Sequence, residues 1–262
     1  MSPAAKPNPP SPLSLNHTLA GLGLGTSPSS SSVRSTPSPS SDMTGAASEE
    51  EDRARALVDL SIALIDAASD VLEGNIQTDE ELTKTSVLMP GGTVGKHFRH
   101  VIEMFQAFIN ALAEQEGSSS GLIEIDYDAP SPKSRKAIAR SLPACRSAMK
   151  GIRDGLLKWE AKSQEGGAGG GKGLASEMQR KVRLVAVTPT KQVMESSVGR
   201  ELWFCSLHAI HHFSMLRTIA VHELGLSLPT EFGTAPSTLL YRAQDWKPPP
   251  ERKEVRPAKS KL

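Results

Sequence analysis

The sequence predicts an all-α protein: a four-helix bundle with a small β-hairpin before the last long helix. Three observations carry that expectation. Four long stretches repeat apolar residues at helical spacing. Each is bounded by capping residues or glycines. They follow one another in series with loops between, which is how bundles are connected.

Residues 1–45 stand outside that plan as a disordered Ser/Pro-rich arm, with "TSPSSSSVRSTPSPSSD" as its extreme. Such composition buries too little apolar surface to offset the entropy of ordering. The folded domain is residues 46–242, about 200 residues, enough for one core. Its first helix is "SEEEDRARALVDLSIALIDAASDVLEG". The opening acids suit a positive helix N-terminus, and Gly74 ends it. Leu57, Leu60, Ile62, Ala63, Leu64 and Ile65 give it a wide apolar face.

The second helix starts near Thr93, after Gly91-Gly92, and stops near Gly117. Val94, Phe98, Val101, Phe105, Phe108 and Leu112 recur along it at helical spacing. An irregular link containing "IEIDYDAPSPKSR" follows. The third helix begins near Ser141, an N-cap residue, with Pro143 in the first turn, where a missing N–H costs little. A flexible Gly-rich insert, residues 164–173, comes next. Within it Gly166 to Lys172 matches Gly-x4-Gly-Lys, but Gly173 stands where a phosphate loop needs Ser or Thr. A helix precedes it rather than a strand, so it reads as a linker.

"KVRLVAVTPTKQVMESSVGREL" reads as two short strands about Thr188-Pro189-Thr190. The last long helix runs from about Ser197 to Glu223, with Gly225 beyond its end. An ordered coil, "LSLPTEFGTAPSTLLYR", closes the domain. Residues 243–262 form a basic, Pro-rich tail ending Ser260-Lys261-Leu262. A terminal Ser-Lys-Leu is the peroxisomal import tripeptide. It implies the import receptor as a partner and a peroxisomal address; without it the expectation is cytoplasmic.

Composition removes several function classes. The formal net charge is +1 and aromatic content is 4%. Neither a basic surface nor a stacking platform for nucleic acid is expected. Cys145 and Cys205 are far apart and form no Cys-x-x-Cys pair, so they read as reduced thiols. No 18-residue apolar run exists, so no membrane partner is expected, and the N-terminus lacks the apolar stretch of a secretory signal. The sequence is compatible with a monomer or a homodimer.

The histidines concentrate. Of seven, His208, His211 and His212 fall within "LWFCSLHAIHHFSMLR", and His97 and His100 within "GKHFRH". On a helical wheel with His208 at zero, His212 lies at about 40°, Met215 at about −20° and Ile219 at about 20°. Arg217 and Ser206 fall opposite. His208 and His212 therefore point into the middle of the apolar face, with His211 at its border. An i, i+4 pair sets both imidazoles on one side, about 6 Å apart along the axis, a workable bite for one metal ion. A third ligand must come from another helix. By periodicity His97 lies nearer the centre of its apolar face and His100 at the edge beside Met104, Ala107 and Ala111, so the wheel does not choose. His222 is about 15 Å from His212 along the axis and cannot share the ion. Buried histidines paired with ordinary hydrogen-bond partners are the competing reading.

"TVGKHFRHVIEMF", "IDYDA", "GRELWFCSLHAIHHFSMLR" and "FGTAPSTLLYR", in that order, resemble the DinB-like (damage-inducible B-like) family over roughly residues 50 to 242. The resemblance implies a four-helix bundle and a divalent metal, zinc or nickel, held by three histidines. Carried over residue by residue, the ligands are His100, His208 and His212. His97 and His211 become neighbours that donate hydrogen bonds to the ligands or touch substrate, or else alternative ligands. Bacterial relatives follow "IDYD" with arginines, whereas "APSPK" intervenes here before Arg135. The arm, the Gly-rich insert and the tail are additions that suggest a eukaryotic version.

Three neutral histidines leave open positions on an ion, as in catalytic rather than closed structural sites. Some similar proteins use a low-molecular-weight thiol, so the resemblance implies a metal-dependent S-transferase or isomerase acting on a small-molecule substrate. A non-enzymatic metal-holding or partner-binding bundle is the alternative. Glu201 shares a face with His208 and would orient a ligand or act as a base; as a first-turn acid it also simply suits the helix dipole. Asp126 and Asp128 either approach the site or turn the chain.

Overall fold

The structure, a computed structural model, describes residues 42–115, 122–129, 135–166, 173–187 and 189–241. In chain order these form α1 (Asp42–Gly74), α2 (Asp79–Thr83), α3 (Val94–Gln115), β1 (Ile123–Asp126), α4 (Arg135–Ile138), α5 (Leu142–Gly166), α6 (Leu174–Met178), β2 (Lys181–Val187), β3 (Lys191–Ser197), α7 (Val198–His222) and α8 (Pro236–Tyr241). The protein is mostly helical with a small sheet. Each long helix packs on two others: α1 on α5 and α7, and α3 on α5 and α7.

Local chemistry explains the helix ends. Thr93 precedes α3 and its hydroxyl accepts from Lys96 N at 3.0 Å. Ser197 does the same for Arg200 N at the start of α7. For α5 the expected cap at Ser141 is replaced: Leu142 N donates to the Asp79 carboxylate of α2 at 2.6 Å. The end of α1 is closed from outside, where Arg146 of α5 donates to the carbonyls of Leu72 and Ile76. Glu51 of α1 accepts from Leu174 N and Ala175 N, which seats α6.

The core runs between the four long helices. Phe98, Phe105 and Phe108 of α3 and Phe213 of α7 are among its largest fully buried side chains. Each such ring contributes roughly 2–3 kcal/mol by leaving water. Phe213 also stacks on Phe232 with ring centroids 4.8 Å apart. That places Gly233 against the α7 backbone with φ +77°, where a Cβ would lie 2.6 Å from Ser214 N. The glycine of "FGTAP" is thus required by close approach as well as by conformation.

The all-α expectation is corrected by a three-stranded sheet in the order β1-β2-β3. The hairpin part is present: β2 and β3 are antiparallel, from Lys181 opposite Ser197 to Val187 opposite Lys191. The link read as irregular supplies β1, parallel to β2, with Ile123 opposite Val182 and Asp126 opposite Val185. Ile123 and Ile125 are fully buried, an alternation too short to separate from coil by sequence. The short helices α2, α4, α6 and α8 were also not expected, because four to six residues carry no readable period.

Two boundaries move. Helix α1 begins at Asp42, four residues inside the segment 1–45 assigned to the arm. Extending a formed helix costs less than nucleating one. Helix α5 reaches Gly166, so the start of the 164–173 insert is helical. The rest of the arm, most of the glycine run and the Ser-Lys-Leu tail lie outside the described residues. Among the described residues no helix is long and apolar enough to cross a membrane.

Candidate metal centre

Helices α3 and α7 pack side by side and bring their histidines together. One ligand nitrogen from each of His100, His208 and His212 lies within 4.8 Å of the other two. The ring centroids are 5.0 Å apart for His100–His208, 4.5 Å for His100–His212 and 4.6 Å for His208–His212. His208 Nε2 and His212 Nε2 approach to 3.1 Å. A tetrahedral ion with bonds of about 2.0–2.1 Å separates its nitrogen ligands by about 3.4 Å. The three residues could therefore hold a metal ion with modest adjustment.

The helical wheel placed the pair wrongly, and the error is informative. The buried side of α7 carries Leu202, Cys205, Ser206, Ala209, Phe213, Leu216 and Ala220. His208 and His212 are half-buried at the border of that stripe, and His211 is exposed. Ser206, expected opposite the core, is 1% exposed and meets Ser61 of α1 at 2.9 Å. Small residues weigh little on a hydrophobicity wheel, yet they allow the closest helix approach. The histidines thus sit at the seam between α7 and α3, where a ligand can reach them from solvent.

The imidazoles are held neutral. Burial lowers the pKa of His208 to about 4 and of His212 to about 3, and repulsion from neighbouring imidazoles adds to it. His97 is lowered by burial and then by His100 and His211. His100 is lowered chiefly by burial; Glu103 opposes the shift, while Arg99 and Arg135 add to it. Neutral imidazole is the metal-binding form.

His97 takes a different place from His100. Its Nδ1 lies 3.0 Å from His212 Nδ1. A neutral His212 carries one ring proton and so donates to only one partner. With that proton on Nδ1, facing His97, the Nε2 lone pair is left facing His208. In that tautomer the hydrogen bond holds the ring as ligand histidines require. His97 then carries its own proton on Nε2, a buried nitrogen without a partner among the described residues.

The other candidates resolve into structural roles. Glu201 is 1% exposed and accepts from Ser196 Oγ at 2.5 Å and Tyr127 Oη at 2.8 Å. It ties the start of α7 to β3 and to the turn after β1. Tyr127 also lies 3.5 Å from Cys205 Sγ, and burial raises that thiol to about 12. Asp126 accepts from Asp128 N, and Asp128 accepts from Val187 N, so both turn or pin the chain. Cys145 and Cys205 are both free and buried.

Two neighbours escaped sequence reasoning. Phe204 packs beside His208 at 5.5 Å between ring centroids and links it to Tyr127, also at 5.5 Å. Its i, i+4 spacing to His208 was the available signal. Glu103 is the other: three residues after His100, it pairs with Arg135 at 2.8 Å. Arg135, beyond "APSPK", thus still reaches the edge of the site.

No family model matches the chain, and no solved structure matches it. A stretch of 47 residues is 60% identical to FK506-binding protein 5 of Rhizopus delemar. That stretch is 18% of this chain, and the chain spans only 12% of that relative's length.

Proposed function

We propose that the chain is a DinB-like four-helix bundle that holds one divalent metal ion, zinc or nickel, on His100, His208 and His212. The carrying observation is the convergence of three neutral imidazoles from two helices within 4.8 Å. On this reading it works as a metal-dependent transferase or isomerase acting on a small molecule with a low-molecular-weight thiol. Bound there, a divalent ion would supply Lewis acidity and lower the pKa of a water or thiol that shares it.

The chain's own residues prepare the site. His97 orients His212, and Phe204 lines the approach to His208 with an apolar ring. His211 stands exposed beside both ligands, with ring centroids 6.2 Å from His208 and 5.4 Å from His212, within reach of a substrate. Half-buried ligands of this kind would leave an ion there a coordination position open to solvent, as catalytic sites do.

A second reading, a metal-holding module without catalysis, draws on the cavities. Cavities of about 670 Å³ beside α2 and α4, about 510 Å³ between α3 and α5, and about 260 Å³ beside Phe232 have none of the three ligand histidines in their walls. One experiment orders the readings. The purified chain is reconstituted with zinc or nickel, its metal content measured, and thiol loss followed with electrophilic acceptors. Stoichiometric metal with metal-dependent thiol consumption supports the enzyme. Stoichiometric metal without turnover supports the module, and no bound metal sinks both. Where Leu262 is the free chain end, the Ser-Lys-Leu address is tested separately. A fluorescent fusion should turn diffuse when those three residues are removed.

A further inference from the structure

The cavity beside α2 and α4, of about 670 Å³, is walled by Thr83, Thr85, Thr93, Lys96, Arg99, Lys136, Ala139 and Arg140. Four of those side chains are cationic, three bear hydroxyls, and none is acidic. Its volume is within the roughly 300–1,000 Å³ of small-molecule sites. It is distinct from the metal centre, since no histidine forms its wall.

The positive charge there is poorly compensated. Lys96 Nζ donates to the Gly91 carbonyl, a neutral group, at 2.6 Å. Arg99 pairs with Glu103 Oε2 at 3.6 Å but shares that carboxylate with Arg135, 2.8 Å from Oε1, so two guanidiniums face one negative charge. Arg99 Nε is buried and makes no hydrogen bond among the described residues. Lys136 and Arg140 are exposed and have no carboxylate partner among the described residues. Thr93, 6% exposed, accepts from Lys96 N and keeps its O–H proton to donate. The first turn of α3, which starts here, carries no acid to offset its dipole.

The fold builds this cleft deliberately close. A Cβ on Gly95 would lie 2.3 Å from Ala139 O and 2.9 Å from Leu82 Cγ. Only glycine lets α3 approach α2 and the turn after α4 so nearly, which brings Arg140 and Lys136 opposite Lys96 and Arg99. Guanidinium forks and ammonium groups around hydroxyl donors match phosphate oxygens, which accept several charge-assisted hydrogen bonds at once.

We infer that this cleft binds a phosphorylated small molecule, independently of the histidine site. Calorimetric titration of the full chain with inorganic pyrophosphate, in the presence of a metal chelator, tests it. Saturable one-to-one binding is expected, weakening as salt is raised. A Lys136→Gln, Arg140→Gln double variant should bind at least about tenfold more weakly, since each lost contact is a charge-assisted hydrogen bond. Its unliganded melting temperature should be unchanged, because both residues are exposed. Lys96→Gln gives an independent reading from the opposite wall, with weakening in the same direction. His208→Ala, His212→Ala should bind pyrophosphate as the parent does. Absence of saturable binding to the parent overturns the inference. So does undiminished binding to the cleft variants, or loss of binding in the histidine variant.

Discussion

Helix α7 carries two polar clusters one above the other, and they differ in how completely they are paired. Near its start, Glu201 is sealed from solvent with one carboxylate oxygen on Ser196 and the other on Tyr127. Two turns on, His208 and His212 bring their Nε2 atoms to 3.1 Å of each other, and each offers a ring nitrogen within 4.8 Å of one on His100. No carboxylate of the described residues hydrogen-bonds those rings. The first cluster has an acceptor for each hydroxyl proton and nothing left to offer a ligand. The second offers one lone pair from each neutral ring and no positive charge, which suits a cation. Spacing alone links Glu201 to the histidines; hydrogen-bond accounting separates them.

The largest test of that contrast is removal of the metal ligands. His208→Ala, His212→Ala should lower bound zinc or nickel from one ion per chain to none by elemental analysis, with the helical circular dichroism retained. Unchanged stoichiometry would refute the ligand assignment. Glu201→Ala should do the reverse: metal content stays at one per chain while stability drops by about 2–3 kcal/mol in urea unfolding, because Tyr127 and Ser196 lose their buried acceptor. Metal loss without destabilisation in that variant would erase the distinction between the two clusters.

A smaller effect is expected at His97. His97→Ala should keep the stoichiometry but weaken metal affinity by about 10–100-fold, the usual consequence of removing a group that orients a ligand. Competition against a chromogenic chelator measures it, and equal affinity would show that His212 needs no orienting partner. The smallest effect is in acid. Unfolded histidines titrate near 6.5, whereas His208 and His212 in the fold are lowered to about 4 and about 3. Between those values the unfolded chain binds more protons, so stability rises with pH and is lost as pH falls through that window. The melting temperature of chelated protein should decline from about pH 6.5 to about pH 4. The decline should be shallower in His208→Gln, His212→Gln.

The four long helices were legible because each is long enough for its period to exceed chance, and because Thr93, Ser197 and Gly225 mark their ends by local chemistry. β1 was not. Its four residues acquire strand geometry only by pairing with β2, almost sixty residues later, and nothing local announces that partner. The same holds for Asp79 capping α5 and Arg146 closing α1. Of the site, the clustering of histidines was readable, but which of His97 and His100 joins the pair was left open by the wheel.

The sequence by itself determined the helices, the hairpin and the set of histidines, since those follow from period, caps and composition within short windows. The tertiary structure brought His100, the third ligand that the resemblance implied, to His208 and His212, and turned His97 to the back of His212. It also decided that Glu201 belongs to the scaffold, and that Lys136 and Arg140 face Lys96 and Arg99 across a cleft. Those outcomes depend on how closely one helix lies against another. That closeness is set by small residues such as Gly95, Ser206 and Ala209, whose weight in any hydrophobic pattern is slight.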